Sequence, residues 1–377
     1  MLLMPTAQRY GRTLTHRVAR AFTPELRLAT WLFLATAIVR FGLLLAMNPS
    51  HAVDYLAKWD GEQYVAIARF GYFSADGSGA ADPEIYQQRL AFFPAYPLAI
   101  RLVFAALHWI PLLPISYAGV GVLISCIAGV AATMAMLRLS GQQPNAALLL
   151  LGAPMAITLT MVYTESLFLA CALWALVYLI QRRLLPAALL VALAGLVRLT
   201  AVDLWLVLAA SVAVYHRRSL KAWVLCALAA VPAVGYLLWA SWHTREVGGY
   251  FGMQEQGWDS GFDFGRATLT WLGTWHSNPG YIISSAIILA ALLTLPVATW
   301  WARAGFLDWH LWLFGLAISA NVLLSNGIMH SRPRLLLPAV VLLLPLARRL
   351  PTWVMVLWCL LGAMISAYMV GIFQWAI

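Results

Sequence analysis

FFPAYPLAIRLVFAALHWI, residues 92–110, carries two prolines near its start and Arg101 at its middle. The runs around it read more plainly. A stretch of about 18 or more apolar residues is a membrane-span candidate. Apolar runs also occupy roughly 28–47, 117–137, 145–162, 164–181, 185–200, 201–215, 222–243, 281–301, 308–326, 334–347 and 352–376. Whether 92–110 crosses fixes the side of everything after it. If it crosses, with a cytoplasmic N-terminus, then Arg138, Arg182, Arg183, Arg217, Arg218, Lys221, Arg348 and Arg349 all face outward. That opposes the positive-inside tendency. If 92–110 lies along the outer surface or re-enters, all of them return to the cytoplasm. Arg303 and the N-terminal Arg9, Arg12, Arg17 and Arg20 then share that side. Of the 14 acidic residues only Glu25 and Asp308 stay inside. The expectation is therefore a bundle of about 11 spans, N-terminus in and C-terminus out, with 92–110 as a juxtamembrane or re-entrant helix. Twelve spans is the rival topology.

Composition agrees with this class. The chain is 63% hydrophobic and 10% charged, against roughly 25% charged in a soluble domain. It reads as an all-α polytopic membrane protein, one integral membrane unit over 1–377. Two polar gaps interrupt it: 48–91, the first outer loop, and 244–280, the second. Within the first, SADGSGAADPE (74–84) is a flexible loop by composition. The run 28–47 is too long for a cleaved signal core and reads as an uncleaved first span. Many of the 18 Trp suit interfacial belts. The net charge of +10 is scattered singly and in pairs, as topology determinants are, so no nucleic-acid partner is expected. Cys126, Cys171, Cys226 and Cys359 lie in apolar runs without a CxxC or His neighbour, so neither disulfides nor metal ligation is expected. There is no P-loop, GxGxxG after a strand, HExxH or GxSxG. A Rossmann-type nucleotide-sugar site has no place in this chain.

The polar residues of the outer side are the functional candidates, since ionisable groups at bilayer level are costly. KWDGEQYVAIARFGY (58–72) places Asp60 at the head of a helix over 61–70 that Gly71 closes, with Tyr64, Ile67 and Ala68 near one face. Asp60 and Gln63 have capping-box spacing. Asp60 is thus a cap, a base, or a base held in place by capping. Glu165, in MVYTES, lies between two spans and is either satisfied by an arginine or a second acid of a polar cavity. Arg198 and Asp203 flank a break and by default form an ion pair. His330, Arg332 and Arg334 follow another span; the arginines either anchor to headgroups or hold a phosphate, whose oxygens match the guanidinium fork. Gln254, Glu255, Trp258 and Asp259 belong to a loop whose aromatics suit sugars.

WDGEQYVAIARFGY, FFPAYP, APMAITLTMVYTESLF, GLVRLTA and SRPRLLLPAVVLLLP occur in this order over about 60–340. Together they resemble the PIG-V family, the second mannosyltransferase of GPI-anchor synthesis, and in particular its bacterial branch. The resemblance implies a GT-C-type bundle whose first extracytoplasmic loop carries juxtamembrane helices. It implies an inverting transfer of mannose from polyprenyl-phosphate mannose, giving an α-mannoside, at the outer face of a bacterial plasma membrane. By correspondence Asp60 is the base, with Glu165 and Arg198 matching further motif positions and Asp54 as the rival base. Arg198, Arg332 or Arg334 would stabilise the leaving phosphate. Trp59, Tyr64 and Trp258 would pack on sugar or prenyl surface, with Gln254 and His330 as polar contacts. No cofactor or metal is expected. The acceptor is a glycolipid, a lipoglycan or a protein. The alternatives are a flippase of lipid-linked sugars, a transferase of another polyprenyl-linked sugar, and a non-catalytic assembly subunit.

Overall fold

The structure, a computed structural model, describes residues 7–78, 81–110 and 115–374, with side chains from residue 24 onward. The side chains of the N-terminal arginines, residues 79–80 of the SADGSGAADPE loop and the last two residues of the 352–376 run fall outside that set. The chain opens with α1 (Ala7–Met47). The first polar loop builds a 3-10 turn (Asp54–Ala57), α2 (Asp60–Phe70) and α3 (Pro83–Arg89), and α4 (Ala95–Leu107) comes next. Then come α5 (Tyr117–Ser140), α6 (Pro144–Leu151), α7 (Glu165–Ile180), α8 (Leu184–Ala194), α9 (Ala201–Tyr215) and α10 (Leu220–His243). The second polar loop holds α11 (Gly249–Trp258) and α12 (Arg266–Gly273). The chain ends with α13 (Pro279–Arg303), α14 (Trp309–Leu323), α15 (Arg332–Leu335), α16 (Leu344–Ala347) and α17 (Thr352–Tyr368).

Among the described residues five helices are long and apolar enough to cross a membrane: Pro24–Met47, Tyr117–Ser140, Leu220–His243, Pro279–Arg303 and Thr352–Phe373. Shorter apolar helices, α7, α8, α9 and α14 among them, accompany them. These are the properties of an integral membrane protein. α7 is the centre of the bundle. It packs between α5 and α8, and Leu169, Leu173 and Leu176 on it are fully buried. α10 and α13 bury little of their apolar surface in protein, as helices at a bundle's lipid-exposed periphery do.

In the ambiguous run the arginine has a structural use. α4 has 13 residues, a rise of roughly 20 Å, against a hydrocarbon core of about 30 Å. Arg101 donates from Nε to the Ala68 carbonyl at 2.7 Å and from Nη2 to that of Arg69 at 3.2 Å. These are last-turn carbonyls of α2, where a cation is favourable. A charge inside an apolar run is thus a helix cap for a neighbouring element.

Two apolar runs are not the continuous helices that hydropathy suggests. In 145–162, α6 stops at Leu151, and 152–164 is irregular apart from a 3-10 turn at Ala156–Thr160. Gly152, Pro154 and a left-handed Met155 (φ 64°) interrupt it. In 334–347, Pro333, Pro338 and Pro345 cut the chain into α15, a 3-10 stretch (Leu337–Leu343) and α16, since proline removes a donor and clashes with the preceding turn. The break after α6 is gripped by α17. A Cβ at Gly362 would lie 1.9 Å from the Gly152 carbonyl oxygen. Because the obstacle is backbone, Gly362→Ala is expected to cost about 1–3 kcal/mol, read as a lowered midpoint of thermal unfolding in detergent. An unchanged midpoint would show that the two segments do not touch this closely.

Candidate functional site

The irregular stretch meets the first polar loop. The Val162 N–H donates to the Leu56 carbonyl at 2.7 Å. Gly61 lies against the same residue, where a Cβ would come within 3.3 Å of the Val162 carbonyl oxygen. This seam sets the start of α2 beside the start of α7. Each helix carries an acid in its first residue, Asp60 and Glu165, at the end where helix dipoles favour negative charge. Arg198, after α8, and Arg334, in α15, arrive from the other side.

The four side chains form one alternating chain of charges. Arg334 Nη1 donates to Asp60 Oδ2 at 2.6 Å. Arg198 Nη1 donates to Glu165 Oε1 at 2.6 Å. Arg334 Nε faces the same Glu165 oxygen at 3.6 Å, too far for a hydrogen bond. Glu165 is 2% exposed and Asp60 25%, so Asp60 is the acid within reach of a ligand. Glu165 Oε2 and Arg334 Nε are buried without a hydrogen-bond partner among the described residues. Buried polar atoms are nearly always satisfied, so an orphaned donor and acceptor in one cluster suit a polar ligand or water. The Tyr163 ring lies under the Arg334 guanidinium, 5.1 Å from its centroid, and its hydroxyl donates to the Lys58 carbonyl at 3.2 Å.

Asp60 is not a helix cap. The cap position belongs to Trp59, at φ 57° and ψ −118°, and no side chain caps the helix. Asp60 sits one residue inside, and its carboxylate turns away to Arg334. The expected Arg198–Asp203 pair is also absent: Arg198 takes Glu165, and Asp203, buried in α9, accepts from Asn321 Nδ2 at 3.1 Å. The rest of the helix reading holds, with Tyr64, Ile67 and Ala68 buried and Gly71 (φ 83°) closing the turn.

Beside the charges lies a cavity of about 410 Å³. Leu199 and Thr200, directly after Arg198, line it with Gln254, Trp258, Asn321 and Arg332. Arg332 is braced by the Thr268 hydroxyl and the Ser325 carbonyl. Burial lowers its pKa to about 10, partly offset by Asp263, so it stays charged at pH 7. Tyr64 is a packing residue: its ring stands edge-on to Phe92 and Tyr96, with its hydroxyl 3.4 Å from Thr164 Oγ1. Burial, then the Asp60 charge, raises its pKa, so it remains a neutral phenol. Trp59 stacks on Tyr55. His330 packs against Tyr281 and Phe373, and burial lowers its pKa, so it is neutral at pH 7. Asp54 is 74% exposed and pairs with His51 at 3.6 Å, outside the charge cluster.

The structure thus gathers Asp60, Glu165, Arg198 and Arg334, puts Gln254, Trp258 and Arg332 at the adjoining cavity, and leaves Asp54, Trp59 and His330 apart. Sequence reasoning missed Tyr163 and Asn321. Asn321 carried a signal, a carboxamide inside an apolar run; Tyr163 carried none beyond its place next to Glu165. Among the described residues no three His, Cys, Asp or Glu side chains converge as a metal site would require. No family model matches the chain, and no curated protein matches it significantly.

Proposed function

We propose that the protein is a polyprenyl-phosphate-mannose-dependent mannosyltransferase of a GT-C-type bundle with about 11 spans, working at the extracytoplasmic face of a bacterial plasma membrane. The observation that carries the reading is the Asp60–Arg334–Glu165–Arg198 chain beside a largely apolar cavity to which Gln254, Asn321 and Arg332 add polar groups. Asp60 uses Oδ2 for Arg334 and keeps Oδ1 as acceptor for a substrate proton. The acceptor hydroxyl attacks the anomeric carbon of the donor and gives its proton to Asp60. The bond from that carbon to the phosphate oxygen breaks, and its electrons stay on the phosphate. One displacement inverts a β-linked donor to an α-mannoside. A guanidinium has five donors, so Arg198 retains several after bonding Glu165, and these face the charge growing on the leaving oxygen, where electrostatic help counts most. Trp258 and Gln254 offer the sugar an apolar face and an amide.

The test is transfer of labelled mannose from synthetic polyprenyl-phosphate mannose into membrane lipids and proteins, run beside the matching glucose donor. Mannose incorporation is expected in the wild type, and in Asp54→Asn within about twofold, since an exposed surface pair contributes little. Preferred incorporation from the glucose donor would change the sugar. Movement of labelled lipid across vesicles with no covalent product would replace the reading with a transporter.

A further inference from the structure

Arg40 lies about two turns from the C-terminal end of α1, inside its apolar run, yet it is only 1% exposed. No described carboxylate pairs with it. Among the described residues its one hydrogen bond runs from Nη1 to the Leu151 carbonyl at 2.8 Å, and Nε and Nη2 have no partner. An arginine is an expensive residue for such a place, so the identity of its single acceptor is informative.

Leu151 is the last residue of α6, and a helix end leaves its final four carbonyls without intrahelical partners. Here all four find donors. The Leu148 oxygen accepts the Gly152 N–H at 2.8 Å and Cys359 Sγ at 3.3 Å. The Leu149 oxygen accepts Trp358 Nε1 at 3.0 Å. The Leu150 oxygen accepts the Ala153 N–H at 3.2 Å. The Leu151 oxygen takes Arg40. α1 and α17 therefore close a helix that stops inside the bundle, and the cation sits at the end where the dipole is negative. From this closed end the chain enters the irregular 152–164 segment, and that segment leads directly to Glu165.

We propose that Arg40 is a positioning residue for Glu165. By closing α6 it holds the irregular segment that delivers Glu165 between Arg198 and Arg334, although α1 supplies none of the four charges. The part played by Glu165 in transfer rests on the function proposed above; the mechanical claim does not.

The test measures hydrogen–deuterium exchange of peptides from 152–164 in detergent-solubilised full-length protein, with mannosyl transfer followed in parallel. Arg40→Met is expected to speed exchange in 152–164 about tenfold, the scale of one lost capping bond, while 117–140 keeps its protection. Arg40→Lys, which still donates to the Leu151 carbonyl, is expected to restore most of that protection. In transfer, Arg40→Met is expected to lower kcat about tenfold with KM within twofold, and Arg40→Lys to recover it. Arg40→Gln, shorter and uncharged, keeps a polar side chain at the site and should loosen the same peptides; it decides the matter if Arg40→Met does not fold. Unchanged exchange in 152–164, or exchange raised equally through α5, overturns the proposal. A wild type without transfer activity would refute the mannosyl reading alone, because the exchange result still judges Arg40.

Discussion

Asp60→Asn is expected to lower mannosyl transfer by about 10²–10⁴-fold, the usual worth of a general base. The amide keeps the size of the carboxylate and can still accept from Arg334, and Glu165 remains beside that guanidinium. Folding should therefore suffer by only about 1–3 kcal/mol, and binding of the donor should change less than turnover. The check is kcat and KM on protein matched for expression and for thermal midpoint. Asp60→Glu supplies the control, because it returns a base at a displaced position and should recover part of the rate. Transfer that survives Asp60→Asn unchanged would remove Asp60 from the chemistry and leave it as an ionic clasp between α2 and α15.

Arg198→Met carries the largest expected effect on stability. Its guanidinium makes the one short bond that Glu165 has, and Glu165 is 2% exposed. Removing one partner of a buried ion pair strands the other and costs about 3–5 kcal/mol. Arg198 is itself 16% exposed, so water can reach part of the gap and the lower end applies. Pairing the change with Glu165→Gln removes the stranded charge and should recover most of the loss. The measurement is the thermal midpoint of the two single variants and the double variant. If the losses simply add, the two side chains do not depend on each other and the charge chain is not a unit.

Much of this site is legible in the sequence. Asp60, Glu165, Arg198 and Arg334 stand out because charge amid apolar sequence must be answered by a partner, and all four meet. The partnerships themselves are harder to see. Arg334 lies 274 positions from Asp60, and spacing along a chain says nothing about contacts of that range. Local rules instead favour the nearest acid, which is why they match Arg198 with Asp203. The capping assignment fails for a different reason. A cap residue needs extended backbone, and here Trp59 holds that position in an unusual conformation; no sequence rule anticipates a tryptophan there. The stop after α6 is hidden because 145–162 is apolar throughout, and hydropathy measures partition rather than regularity. Gly152 and Pro154 are the visible warning. The function of Arg101 emerges only with the neighbouring helix end in view.

The four central charges sum to zero. Two arginines and two acids on adjacent atoms make a field that fades quickly with distance, unlike a cleft lined by one sign, which draws its ligand from afar. The quartet by itself neither gathers anions nor repels them from a distance; Arg332, charged at the adjoining cavity, supplies the attraction an anion feels before contact. Discrimination is left to the moment of contact, when an incoming group must match the atoms the cluster leaves unpaired, Glu165 Oε2 and Arg334 Nε among them. Commitment then depends on what a molecule can bond to Asp60 Oδ1 and to the spare donors of Arg198 while Arg334 stays on Asp60 Oδ2.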